Sequence, residues 1–190
     1  MTADQDREDV HRVLEGDISS FGNIVRRWQN PLVNLAFRFC RDRQRSEEMA
    51  QDAFMQIFRN LEKFRGEAAF STWIFSVSLN VYRSALRRKS LPVKSIDDLM
   101  DLAAGQIPYL QIEQQERDEL IRQAVALLPK RYRDAIIVFY FKEMNLTETA
   151  AILRVSEGTA KAWLHRGREM LRNKLERRST TTAAAKEVRP

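Results

Sequence analysis

The stretch Ser156-Glu157-Gly158-Thr159-Ala160-Lys161-Ala162-Trp163-Leu164-His165-Arg166 sets a small, glycine-containing start directly ahead of Lys161, His165 and Arg166. Small residues let backbone amides approach a phosphate, and Lys and Arg reach phosphates or base edges, so this spacing suits recognition of a polyanion rather than bond making. Residues that could do covalent chemistry are sparse elsewhere. His165 has no acidic or nucleophilic companion and reads as an outward-facing contact residue, not a general base. Glu47, Glu48 and Asp52 resemble a set of metal ligands, yet Glu47 and Glu48 fall at a helix start, where dipole stabilisation explains them. His11 and His165 are far apart and Cys40 is the single cysteine, so neither a zinc site nor a disulfide framework is expected. The sequence leads us to expect no enzyme, no cofactor and no metal.

The elements that would position these residues are helical. Apolar positions Phe21, Ile24, Val25, Trp28, Leu32, Leu35, Ala36 and Phe39 recur at steps of three and four, with Pro31 expected to kink the stripe or divide it into two helices. Ser46 is the expected N-cap of the next helix, whose buried face is read as Met49, Ala50, Ala53, Phe54, Ile57, Phe58 and Leu61. After a break at Arg65-Gly66-Glu67, a further helix carries Trp73, Ile74, Val77, Val81 and Leu86 towards Lys89. Residues 91–112 shift in character. Pro92, Gly105 and Pro108 interrupt them, and Asp97, Asp98 and Asp101 outnumber Lys94, which marks a linker. Helical spacing returns over 113–178, and 179–190 is expected to be a disordered tail with little to bury. The fold class is all-α, with two small helical domains, 1–90 and 113–178, joined by a flexible linker.

Within the second domain Leu127, Leu128, Ile136, Ile137, Phe139 and Tyr140 form apolar faces around Pro129. Asn145 and Glu148 have capping-box spacing, predicting a short helix over about 146–153; Ser156 then caps the next one. Rotating that helix gathers Ala160, Leu164, Gly167 and Leu171 on one side and Gly158, Lys161, Ala162, His165 and Arg166 on the other. This is a helix-turn-helix layout, set against the plainer reading of a helical hairpin with a solvated basic face. A formal charge of +6 over 190 residues agrees with a polyanionic partner without establishing one. The polar, acidic amino-terminal residues and the absence of a long apolar run point to a cytoplasmic setting without membrane insertion.

At this point the chain resembles a known family. The segment from Leu128 to Leu175, opening LPKRYRDAIIVFYFKEMNLTETAAILRVSEGTAK, looks like the fourth conserved region of bacterial sigma factors. FGNIVRRWQNPLVNLAFRFC through EEMAQDAFMQIFRNLEKFRGEAAFSTWIFSVSLNVYRSALRR looks like the second. The short acidic linker between them is similar to that of the compact extracytoplasmic function (ECF) group of the sigma-70 family. The resemblance implies a non-catalytic subunit that binds core RNA polymerase and directs initiation at promoters. It implies contacts to the polymerase clamp from Gln51, Asp52, Phe54, Met55 and Arg59, with Phe54 and Phe58 serving mainly as core. Capture of melted, single-stranded minus-ten DNA would fall to Phe64, Arg65, Gly66, Phe70, Trp73, Asn80 and Arg83, with Trp73 and Phe70 equally readable as packing. Duplex at the minus-thirty-five element would meet Lys161, Ala162, His165 and Arg166 at its bases, and Gly158, Thr159 and Arg168 near phosphate. An anti-sigma factor, often membrane-attached in the family, is a further implied partner.

The chain departs from the family pattern at Trp163 and Ser76, where arginine is frequent, and at Leu146, where an aromatic phosphate contact is common. Asp97, Asp98 and Asp101 would either enter the RNA exit path as phosphate mimics or form a solvated tether. Two other classes stay open on residues alone: a dimeric helix-turn-helix repressor that binds operator DNA unaided, and a magnesium-dependent nuclease built on Asp52.

Overall fold

The computed structural model describes residues 2–88, 109–141 and 144–187, with side chains at 3–88, 118–141 and 144–176. Every regular element among them is helical. In chain order these are α1 (Thr2–Leu14), α2 (Phe21–Cys40), α3 (Arg43–Arg59), α4 (Phe70–Arg88), α5 (Tyr109–Ala126), α6 (Lys130–Tyr140), α7 (Leu146–Leu153) and α8 (Glu157–Glu187), with 3-10 turns at Ile18–Ser20 and Leu61–Lys63.

The apolar stripe of α2 buries Ile24, Trp28, Leu32, Leu35 and Ala36 against α3 and α4. Pro31 does not divide it: α2 is one helix. Burial of the unbroken stripe outweighs the single backbone hydrogen bond that proline removes. The fully buried Tyr82 donates its hydroxyl to the Leu32 carbonyl at 3.0 Å, tying α4 to α2 just past the proline. Arg41 ends α2 in the left-handed region, with φ 57° and its N–H on the Phe37 carbonyl. Asp42 then caps α3 by accepting from the Arg45 N–H at 2.9 Å. The helix thus starts three residues ahead of the expected cap Ser46, which is fully buried and donates its hydroxyl back to the Asp42 carbonyl. On α3, Met49, Ala50, Ala53 and Ile57 are core as expected, but Phe58 is 41% exposed and rests edge-on against Phe21.

Helix α1 has no counterpart in the sequence reading, because its buried face is largely polar. Asp6 and Asp9 are buried beside Val10. Asp6 accepts from Arg27 and from Trp28 Nε1 (3.0 Å), while Asp9 accepts from Arg27 (2.6 Å) and Asn23 (2.9 Å). Hydrogen-bonded carboxylates, rather than a hydrophobic stripe, dock α1 on α2.

The second lobe packs α6 against α8 and α7, with α5 alongside. Helix α5 begins at Tyr109, inside the stretch assigned to the linker. Leu127 and Tyr140 are more than half exposed, so only Leu128, Ile136 and Ile137 of the expected apolar faces are fully core. Asn145 and Glu148 form the predicted capping box: the side chain of each accepts from the other's backbone N–H. Ser156 caps α8, accepting from the Thr159 N–H at 3.2 Å. Ala160, Leu164 and Gly167 are buried. A Cβ on Gly167 would lie 3.0 Å from Ile136 Cγ1, so the glycine is what lets α8 approach α6 closely. Helix α8 runs to Glu187, well into the expected tail, because no proline or glycine interrupts it after Gly167 and Ala183, Ala184 and Ala185 favour the helix.

Candidate nucleic-acid interface

With Ala160, Leu164 and Gly167 turned inward, the opposite face of α8 is presented outward. Gly158, Lys161, Ala162, His165 and Arg166 are all exposed, and a Cβ on Gly158 would meet nothing within 4 Å. Thr159 is held at the cap by its hydroxyl, 2.9 Å from that of Ser156. His165 sits 3.5 Å from Glu169 one turn on, with its side chain 73% exposed. Arg168 behaves differently. It donates to the Tyr140 hydroxyl at 3.2 Å and lies over the Phe139 and Tyr140 rings, which draws it towards α6.

In the first lobe the residues expected to hold single-stranded DNA separate into three groups. Phe64, Phe70 and Trp73 form one aromatic cluster, with Phe70 and Trp73 stacked at 5.7 Å and Phe64 packed on both. Phe70 is 4% exposed and edge-on to Trp28, so it is core. Trp73 is half-buried and opens with the exposed Asn80 onto a cleft of about 790 Å³ between α3 and α4. Arg65 and Gly66 lie on the exposed turn before α4, where Gly66 takes φ +73°, a conformation glycine adopts without strain. Arg83 stands apart from both: its Nε donates to Asp134 of α6 at 2.8 Å.

The cleft also joins residues assigned to separate roles. Asp52, Met55 and Arg59, exposed on α3, line it together with Trp73 and Asn80; Lys63, Arg88 and Arg154 add positive charge. Gln51 is exposed on α3, whereas Phe54 is half-buried against Phe21. Arg154 was missed from sequence. It is the left-handed residue that ends α7, φ 58°, and its Nε donates to Ser76 Oγ at 3.1 Å. No local pattern marks a contact made between lobes. Glu47 pairs with Arg43 at 2.7 Å and Glu48 accepts from Gln44 along their own helix, while Asp52 faces the cleft. Cys40 is partly buried, 3.2 Å from the Ser46 hydroxyl.

A second groove, about 590 Å³, runs between the end of α2 and helices α5, α6 and α8. Ile121, Val125, Ile136 and Leu171 contribute to its apolar floor, and Arg38, Arg41, Arg122, Arg168 and Arg172 contribute its cations. Burial, and next the Arg122 guanidinium, lower the Arg41 pKa, as expected where cations crowd an apolar surface.

Comparison with known proteins agrees with this architecture. Sigma-70 region 2 matches residues 24–91, and Sigma-70, region 4, matches residues 118–171. The ECF RNA polymerase sigma factor SigW of Bacillus subtilis is 30% identical over 176 residues, covering 87% of this chain and 94% of its own length. The RNA polymerase sigma-H factor of Pseudomonas aeruginosa is 28% identical over 186 residues, covering 93% and 96%. Among solved structures, CnrH in complex with the cytosolic domain of CnrY aligns with a TM-score of 0.66 at 21% identity, over 90% of this chain and 97% of the matched chain. RpoE of Bartonella quintana, in complex with the anti-sigma factor NepR, aligns at 0.61 and 20% identity, over 82% and 96%.

The chain therefore belongs to the sigma-70 family of RNA polymerase sigma factors, in its ECF group. It is a promoter-directing, non-catalytic initiation subunit, and among the described residues no helix is long and apolar enough to cross a membrane.

Proposed function

We propose that this chain binds core RNA polymerase and recognises two promoter elements, the minus-thirty-five element as duplex and the minus-ten element as a melted strand. The observation that carries the reading is the exposed face of α8, Gly158, Lys161, Ala162, His165 and Arg166, on a doubly capped helix-turn-helix. In such motifs the second helix enters the major groove with its amino-terminal half. Arg166 and Lys161 then contact base edges or phosphate, and the bare Gly158 start admits a phosphate to the backbone amides.

Trp73 and Asn80 serve the melted strand: the indole stacks on an unpaired base and the amide reads an edge by paired hydrogen bonds, with Lys63 and Arg88 attracting the backbone. Phe64 and Phe70 support Trp73 from behind rather than meeting DNA. Stacking at about 1–3 kcal/mol per base offsets the few kcal/mol of unstacking, so strand opening needs no ATP. Gln51, Asp52, Met55 and Arg59 form the exposed face of α3 that meets the polymerase clamp. Asp97, Asp98 and Asp101, assigned either to the RNA exit path or to a solvated tether, lie outside the described residues. The arginine-rimmed groove suits an acidic amphipathic helix, the chemistry expected of an anti-sigma factor that restrains the protein in the cytoplasm.

The strand-capture part is tested by permanganate oxidation of unpaired thymines on a promoter that the chain activates. Reactivity near the minus-ten element should appear only with chain and core together. Trp73→Ala and Asn80→Ala should each reduce it about tenfold, in line with one lost stack or paired hydrogen bond, and leave duplex binding at the upstream element unchanged. Full reactivity in both variants would remove the cleft from the mechanism.

A further inference from the structure

Two residues other than glycine take a left-handed backbone among the described residues, Arg41 (φ 57°) and Arg154 (φ 58°). Each ends a helix, a position where glycine or asparagine is the unstrained choice and a long side chain bears a steric cost. Local packing accounts for the Arg41 side chain, whose guanidinium lies over the Phe37 ring one turn back. Nothing comparable holds Arg154. It is exposed, and its only side-chain hydrogen bond among the described residues is from Nε to a neutral hydroxyl, Ser76 Oγ. Asp52, the one carboxylate lining the adjoining cleft, forms no ion pair with it. Both terminal nitrogens of the guanidinium therefore remain open to an anion, and a planar fork of donors suits a phosphate.

We propose that Arg154 is a further DNA-contact residue, a phosphate anchor on the turn between α7 and α8 that holds the backbone of the upstream duplex while α8 reads its bases. The inference rests on the reading-helix proposal above. Arg154 stands three residues before Glu157, the first residue of α8, beside a helix start whose cap is Ser156 and whose Gly158 leaves the backbone bare. A phosphodiester could instead come from the melted strand, since the side chain also borders the cleft with Lys63 and Arg88. Distance decides between the two. The promoter elements are named for positions about 25 base pairs apart, roughly 85 Å of duplex. A compact chain of this length, with a radius of gyration of about 16 Å, does not bridge that span. When both elements are engaged Arg154 goes with α8, and the cleft is left to Lys63 and Arg88.

Two substitutions test this in the complex of the full chain with core polymerase. One fluorescein-labelled probe is a duplex carrying the minus-thirty-five element and ending upstream of the minus-ten element; the other is the single-stranded minus-ten segment. Arg154→Gly removes the cation and supplies the residue a left-handed helix end prefers, so its melting temperature should stay within a few degrees of the parent. Its affinity for the duplex should nevertheless fall about three- to tenfold near 0.1 M salt, and the slope of log affinity against log salt should flatten by about one. The loss should be equal on a scrambled duplex, because a phosphate contact carries no sequence information. Arg154→Lys keeps the charge and should restore the slope, which a purely structural role for the side chain would not do. A parental slope in Arg154→Gly, or a loss confined to the single-stranded probe, would overturn the inference. With Arg166→Ala as the control, parental duplex binding by Arg154→Gly alone defeats this anchor, whereas parental binding by both variants defeats the reading helix itself.

Discussion

Arg166→Ala is expected to lower transcription from a promoter served by this chain by about ten- to a hundredfold, the loss of one bidentate base contact worth about 1–3 kcal/mol. Arg166 is exposed on α8, and the fold of that helix depends on Ala160, Leu164 and Gly167 on the other side, so thermal stability should stay within about 0.5 kcal/mol of the parent. Lys161→Ala distinguishes the two contacts within reach of that side chain. Loss of a base contact relaxes sequence preference at one position, whereas loss of a phosphate contact weakens binding to all duplexes alike and reduces the salt slope by about one. Binding titrations of each variant against the promoter duplex at several salt concentrations separate the two roles. If Arg166→Ala left both transcription and duplex affinity intact, α8 would not be the reading helix.

Arg27→Met should produce the largest loss of stability. Asp6 and Asp9 have side chains 3% and 8% exposed, and Arg27 is the cation that pairs with both. Removing it strands two buried carboxylates at a cost of about 3–5 kcal/mol, against a total of about 5–15 kcal/mol for a domain. The melting temperature of the first lobe should fall by more than about 10 °C. Combining Arg27→Met with Asp6→Asn and Asp9→Asn should restore part of that loss, because no stranded charge then remains. Acid acts on the same contact. Burial raises the Asp9 pKa, but hydrogen bonds from Arg27 and Asn23 more than offset it, so the folded value lies below the ordinary one. A carboxylate of that kind stabilises the fold above its unfolded pKa and loses its contribution as pH falls through the folded value, so the docking of α1 should weaken below about pH 4. A calorimetric melt of Arg27→Met that matched the parent would show that α1 is held by something else.

The parts of the fold legible in the sequence were those with one buried face and one solvated face. Helices α2 and α7 and the start of α8 follow directly from apolar spacing, the Asn145–Glu148 box and Ser156, and the exposed face of α8 was readable for the same reason. Helix α1 was not, because its docking rests on Asp6 and Asp9, which in a sequence look like solvent-facing charge. Of the apolar positions expected on helix α4, only Ile74 is fully buried. Trp73, Val77 and Val81 are only half-buried beside the cleft, while Phe70, Phe75, Leu79 and Tyr82 are core. It packs on the first lobe and on α7 at once, so apolar residues encircle it and periodicity cannot choose a face. Arg83 and Arg154 show the remaining limit. Their partners lie 51 and 78 residues away in sequence, and no local signal announces such a contact.

The central claim is that two helical lobes direct a polymerase to defined start sites. It is tested most directly by run-off transcription with purified core RNA polymerase on genomic fragments, with and without this chain. New transcripts should begin at discrete positions only when the chain is added, preceded by two shared motifs spaced for the two lobes. Identical transcripts with and without it, or tight binding to one duplex operator in the absence of core, would contradict the account.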